Sequence, residues 1–206
     1  SSGAAASTAI GTMLAGAATV NVDTAGSMSV AQFDVLDALT AATITGNVED
    51  TIANLAASDA AAAIAAAGTV SISDATTETA TAAEFNSLVA NGVSATELVN
   101  VDISDTAANI ATLSAASWIV ISTTDASAAS DVATSNMITV TDNGSLTGLT
   151  VAQADAIYDA DGGTTNGSVY GDYTITDTAE NVAGAESGLI NSAQSVTVTT
   201  AATFGE

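Results

Sequence analysis

Carboxylate, hydroxyl and amide are the reactive side chains this chain carries in number: 23 Asp and Glu stand against no Lys, Arg, His or Cys. Without imidazole, amine or thiol there is no ordinary general base at neutral pH, no Schiff-base nitrogen and no thiolate nucleophile. Two uses of carboxylates remain. A pair flanking a glycosidic bond can hydrolyse it, but no Asp or Glu pair stands apart here, and aromatic platforms for sugar are scarce at 3% Phe, Trp and Tyr. A non-enzymatic protein is therefore expected. The other use is to hold a hard, oxygen-seeking cation, for which Ca2+ is the natural choice.

Two sets of carboxylates invite that reading. Asp159, Asp161 and Asp172 lie in or beside the run Asp159-Ala160-Asp161-Gly162-Gly163-Thr164-Thr165-Asn166-Gly167, read as a loop. Alternating Asp ahead of a Gly turn resembles the start of a Ca2+ loop, although no Glu closes it as in an EF-hand. An ordinary Asp/Gly turn is the preferred alternative. The second set, Asp23, Asp74, Asp105, Asp142 and Asp177, recurs at the ends of alternating runs. Strands stacked about 4.8 Å apart would align these like charges, which repel unless a cation lies between them. A row of helix N-caps with solvated charge competes with that cation ladder and is preferred. The candidate metal ligands are thus Asp159, Asp161, Asp172, Asp105, Asp142 and Asp177, with Ca2+ as the ion.

The elements that must position these groups come from an internal repeat. One motif, Asp-Thr-x-x-Asn-aliphatic-Ala, occurs at Asp50–Ala56, Asp105–Ala111 and Asp177–Ala183. A second alternates with it at Ser29–Asp34, Thr81–Asn86 and Thr150–Asp155. Ser29, Thr81 and Thr150 each have Gln or Glu three residues on, the capping-box pattern of a helix start. Asp105 and Asp177 are read as caps of the helices that follow them, the latter boxed with Glu180. Between the motifs lie eight short β-branched runs with period-two alternation, which read as strands. They are Thr19–Asp23, Thr43–Thr45, Thr69–Ser73, Val99–Ser104, Trp118–Ser122, Ile138–Thr141, Tyr173–Thr176 and Ser195–Thr199. Val20, Val22, Ile72, Val101, Ile103, Val140, Ile175 and Val198 are expected to face helices, and their Thr, Ser, Asn and Asp neighbours to face water. Trp118 is expected in the core.

Strand–helix–strand connections of this length imply parallel pairing and a right-handed crossover. The expected fold is α/β: a right-handed βα solenoid with one parallel sheet and short helices on the opposite side. Residues 1–18 read as a small-residue segment with Ile10, Met13 and Leu14 at helical spacing, a candidate assembly contact. Residues 19–206 read as a single repeat domain. The segments 125–135 and 160–172 interrupt the periodicity.

Composition bounds the partners. A net charge of −23 excludes direct nucleic-acid binding, which needs positive charge, and disfavours anionic lipid. The apolar stretches are Ala-rich and broken by Gly, Ser, Thr or Asp, so no membrane insertion is expected. With 48% hydrophobic residues the chain is expected to pack a core rather than stay disordered. Lacking Lys, Arg and Cys, it offers trypsin-like proteases no site and oxidants little, which suits an extracellular or cell-surface location. No signal peptide is evident. Asn143-Gly144-Ser145 and Asn166-Gly167-Ser168 match the glycosylation pattern but read better as turns.

The run Val101-Asp102-Ile103-Ser104-Asp105-Thr106-Ala107-Ala108-Asn109-Ile110-Ala111, with Thr150-Val151-Ala152-Gln153-Ala154, resembles repeats of giant acidic surface proteins of bacteria, cyanobacterial in type and related to RTX-type adhesins. The resemblance covers most of the chain from Thr19 onward. It implies an extracellular structural or adhesive role, as an adhesin, surface-layer (S-layer) or matrix-fibre segment. The Gly-Gly-x-Gly-x-Asp nonapeptide that binds Ca2+ in RTX proteins is absent, so calcium ligation does not carry over. Open solenoid ends further imply end-to-end self-association into a filament, between protomers or successive repeats, with divalent cations relieving charge repulsion. The alternative function is a binding module whose Thr/Ser face (Thr43, Thr45, Ser71, Ser73, Thr139, Thr141, Thr174, Thr176, Thr197, Thr199) takes ice or a surface glycan.

Overall fold

A computed structural model describes residues 18–22, 26–39, 42–73, 78–98, 101–125, 138–142, 144–160 and 173–199. Residues 1–17, Asp23, Asp74, Asp161 and Asp172 lie outside them. Within the described residues the chain is mixed α/β, and all strand pairings are parallel.

The strands are β1 (Thr19–Asn21), β2 (Ser27–Met28), β3 (Thr43–Asp50), β4 (Ala67–Ile72), β5 (Glu78–Ala80), β6 (Val101–Asp105), β7 (Ile138–Val140), β8 (Leu146–Leu149), β9 (Tyr173–Asp177) and β10 (Ser195–Val198). The helices are α1 (Val30–Leu39), α2 (Ile52–Leu55), α3 (Ala60–Ala66), α4 (Ala82–Asn91), α5 (Ala95–Leu98), α6 (Ala107–Ile110), α7 (Ala115–Asp125), α8 (Val151–Ala160), α9 (Ala179–Gly184) and α10 (Ser187–Ser192).

Among the described residues, three separate small sheets stand where the repeat leads one to expect a single one. Their central strands are β3, between β2 and β4; β6, between β5 and β7; and β9, between β8 and β10. β1 adds to the start of β3. The three sheets share one register. Met28 pairs with Val48 and Asp50 with Ile72; Ala80 pairs with Ile103 and Asp105 with Val140; Leu149 pairs with Ile175 and Asp177 with Val198. Each unit therefore reads strand, second-motif helix, central strand ending in Asp, first-motif helices, third strand. Three strands escaped the sequence reading: β2, β5 and β8. Each is a two- to four-residue lead-in to a capped helix, too short to display alternation.

A second correction concerns Trp118–Ser122, which is helical within α7. A continuous apolar run of that length cannot be told from buried helix by periodicity. Asp159, read as a loop residue, lies on helix α8. The core runs through all three units, with Phe33, Leu55, Phe85, Leu88, Leu98, Ile103, Ile110, Ile175 and Leu189 buried. Each such side chain contributes about 1.5–3 kcal/mol of burial. Val198 departs from expectation at 49% exposed. Gly46 occupies an inward position of β3 where a Cβ would come within 2.8 Å of the Met28 Cε and 3.0 Å of the Val22 Cβ. A larger residue here would have to displace Val22 and the end of the Met28 side chain.

Candidate functional site: a carboxylate clasp repeated along the chain

The Asp residues that close the central strands each accept three hydrogen bonds. On β3 the inward residues are Ile44, Gly46, Val48 and Asp50, so Asp50 continues the apolar face and is 7% exposed. Asp105 and Asp177 have the same parity after Val101 and Ile103, and after Tyr173 and Ile175. A carboxylate turned toward the core needs donors, and the motif supplies them.

Asp50 Oδ1 accepts the Thr51 N–H at 2.9 Å and the Asn54 Nδ2 amide at 2.6 Å. Its Oδ2 accepts the N–H of Val30, the first residue of helix α1 in the preceding layer, at 3.0 Å. Asp105 repeats this with Thr106 N (2.8 Å), Asn109 Nδ2 (2.7 Å) and Ala82 N (3.1 Å). Asp177 repeats it with Thr178 N (2.7 Å), Asn181 Nδ2 (2.8 Å) and Val151 N (2.8 Å). One carboxylate thus ties three elements: the strand it ends, the helix that follows and the helix of the neighbouring strand. Helix starts carry unsatisfied N–H groups and positive potential, so an anion placed there is favourable.

The N-cap is one residue later than expected. Thr51, Thr106 and Thr178, not the Asp residues, accept the N–H of Asn54, Asn109 and Asn181. The Asp precedes the cap, and the Asn amide reaches back to it where a capping box would use Glu. The second-motif helices do carry the boxes expected: Ser29 with Gln32, Thr81 with Glu84, Thr150 with Gln153.

Asp142 extends the pattern. It lies two residues past Val140, and its Oδ1 accepts the N–H of Ala107, first residue of α6, at 3.1 Å, and of Gly144 at 3.1 Å. It is exposed, and no Thr-x-x-Asn follows it.

The electrostatics follow from the donors. For Asp105, burial works to raise the pKa, but the Asn109 amide and the Thr106 and Ala82 N–H groups outweigh it and hold the carboxyl below its ordinary value. For Asp177 the Val151 and Thr178 N–H groups and the Asn181 amide lower it. For Asp142 the Ala107 and Gly144 N–H groups do so, against the charge of Asp105 nearby. N–H groups of the chain therefore already stabilise the ionised form of these three predicted metal ligands. Asp105 ends β6 and Asp142 lies just past the adjacent strand β7; Asp177 lies in the third sheet and Asp159 on α8. Among the described residues no group of three or more carboxylates is arranged to hold a metal ion.

The outward hydroxyls pair within sheets rather than across the molecule: Thr19 with Thr43, Ser104 with Thr139, Ser195 with Thr174 and Thr197 with Thr176. The array is divided with the sheets. Sequence reasoning placed the strand-end Asp residues toward water. The signal that corrects this is their parity, since Val101-x-Ile103-x-Asp105, Ile138-x-Val140-x-Asp142 and Tyr173-x-Ile175-x-Asp177 each put Asp on the apolar side.

Compared with known proteins, the chain matches no family model, no curated protein and no solved structure. Among the described residues no helix is long and apolar enough to cross a membrane.

Proposed function

We infer that this protein is a non-enzymatic structural protein of the cell exterior, a repeat segment of a surface layer, adhesin or matrix fibre that associates end to end. The observation that carries the reading is the clasp. The strand-end Asp residues that a binding or catalytic role would recruit serve instead to join one layer to the next, three times over in the same register. A chain organised this way is built by repetition, and the solenoid arrangement of its βα layers belongs to the same proposal. A charge of −23 opposes association, so Ca2+ or another divalent cation promotes it by relieving repulsion. The resemblance to acidic surface-protein repeats points the same way.

Two experiments test this. Fractionation of the native cells with an antibody to the chain places it at the surface or in the medium; confinement to the cytosol overturns the reading. Light scattering of the purified chain rises with added CaCl2 and falls with chelator; particles that stay monomeric under all conditions refute self-association.

A further inference from the structure

The three sheets are not hydrogen-bonded to one another among the described residues, so strand edges do not make the internal joints. Helices do. Helix α4 of the second unit packs on α2 and α3 of the first. There Asn91 donates its amide to the Leu55 and Ala57 carbonyls, both at 2.8 Å, satisfying the exposed end of α2. Helix α8 of the third unit packs in turn on α7 of the second. At each internal joint, a second-motif helix receives the first-motif helix layer of the unit before it.

Helix α1 is the equivalent of α4, aligned from Ser29 and Thr81. The face that leads to Asn91 in α4, namely Glu84, Ser87 and Leu88, corresponds to Gln32, Val35, Leu36 and finally Leu39 in α1. In α4 this face is covered and Leu88 is fully buried. In α1 it borders an open groove of about 620 Å³ lined by Val22, Met28, Ala31, Val35 and Leu36. Val35 is 58% exposed, an apolar residue where the covered helix has Ser87. Isolated exposed valines are ordinary; this one continues an apolar groove at the position of an existing joint.

We propose that this groove receives the α9–α10 helix pair of a second copy of the chain, the repeat-equivalent of the α2–α3 layer that covers α4. The proposal rests on the self-association inferred above and names its joint. It is head-to-tail, so successive copies add without closing unless the rotation per copy closes a ring. Glu180 on α9 and Glu186 at the cap of α10 approach a copy that carries the same net charge of −23. Salt therefore strengthens the joint rather than weakening it.

The test is sedimentation velocity of the full chain over a concentration series, with NaCl or CaCl2 added. Val35→Asp places a charge in the joint and is expected to weaken association about tenfold or more. Ile119→Asp, at a second exposed apolar residue (61%) away from the groove, leaves it unchanged. Leu39→Asn restores the amide that Asn91 supplies internally and strengthens it; circular dichroism checks that each variant folds. Association of the parent chain that Val35→Asp and Leu39→Asn both leave untouched overturns the joint while self-association stands. Association that appears only after deletion of residues 1–17 assigns the groove to that segment and overturns the proposal. A parent chain that never associates overturns both.

Discussion

Helix position six of the second motif carries Asn86 in the second unit and Asp155 in the third, and the two residues behave differently in nearly the same place. Asn86 donates its amide to the Thr112 carbonyl at 3.1 Å, while its Oδ1 accepts the Ser114 N–H at 2.8 Å and the Ser117 hydroxyl at 2.7 Å. Ser114 in turn caps α7 through the Ser117 N–H. The equivalents in the third unit are Gly184 and Glu186. There Asp155 faces a space of about 420 Å³ lined by Glu180, Gly184, Ala185 and Glu186. Burial raises the pKa of Asp155, and the neighbouring charge of Glu186 raises it further. Glu186 occupies the cap position of α10 without making a side-chain cap. An amide can donate and accept; an ionised acid can only accept. The same backbone is stitched shut in one unit and held apart by like charge in the other, so the third unit is the looser.

This contrast can be broken most severely at the clasp the units share. Asp50→Ala leaves the Val30 and Thr51 N–H groups and the Asn54 amide without their acceptor. Destabilisation of about 3 kcal/mol is expected from stranding such donors near the core. Asp142→Ala removes two backbone contacts at an exposed carboxylate, and its effect is smaller. Urea denaturation of both variants measures the difference; equal losses would mean that burial of the clasp is irrelevant.

The pH profile and Asp155→Asn sharpen the comparison. Asp105, Asp142 and Asp177 have folded-state pKa values below the ordinary one. Their contribution is full above about pH 4 and is lost as the pH falls through the lowered values. Asp155 has the opposite sign: its raised pKa means a penalty above that value which fades as the pH falls toward about 4. Acidification through the raised Asp155 value therefore stabilises, and acid below about pH 4, which passes through the lowered values, destabilises. Asp155→Asn removes the first limb alone and adds about 1 kcal/mol at pH 7 by giving the Gly184–Glu186 turn the partner Asn86 is to its own turn. Melting temperatures of parent and variant from pH 3 to 8 show this, and a parent profile that Asp155→Asn leaves unchanged would dismiss the role of Asp155.

The smallest effect is expected in the tighter unit. Trp118 is 6% exposed and its indole N–H has no hydrogen-bond partner among the described residues. Trp118→Phe removes that buried donor together with some packing, and the two oppose, leaving a change of about 1 kcal/mol or less. Trp118→Ala removes the same donor but leaves a large cavity and costs about 3–5 kcal/mol. A loss in Trp118→Phe as large as in Trp118→Ala would show that the indole N–H is satisfied in solution.

Only local features are legible in the residue order alone. The capping boxes, the β-branched alternation and the parallel pairing follow from residue types at short spacing, because a helix start or a pleat needs only its own neighbours. The threefold repeat was legible for the same reason. Which carboxylates matter was half legible: the Asp-Thr-x-x-Asn motif was visible, but it was read as a cap or a cation ligand. The third donor to each Asp comes from Val30, Ala82 or Val151, 20 to 26 residues earlier in the chain. No local rule supplies that partner; strand register does. The division into three sheets and the helical state of Trp118–Ser122 were likewise decided by packing. Short apolar runs fit a strand or a buried helix equally well, and only the neighbours that cover them select between the two.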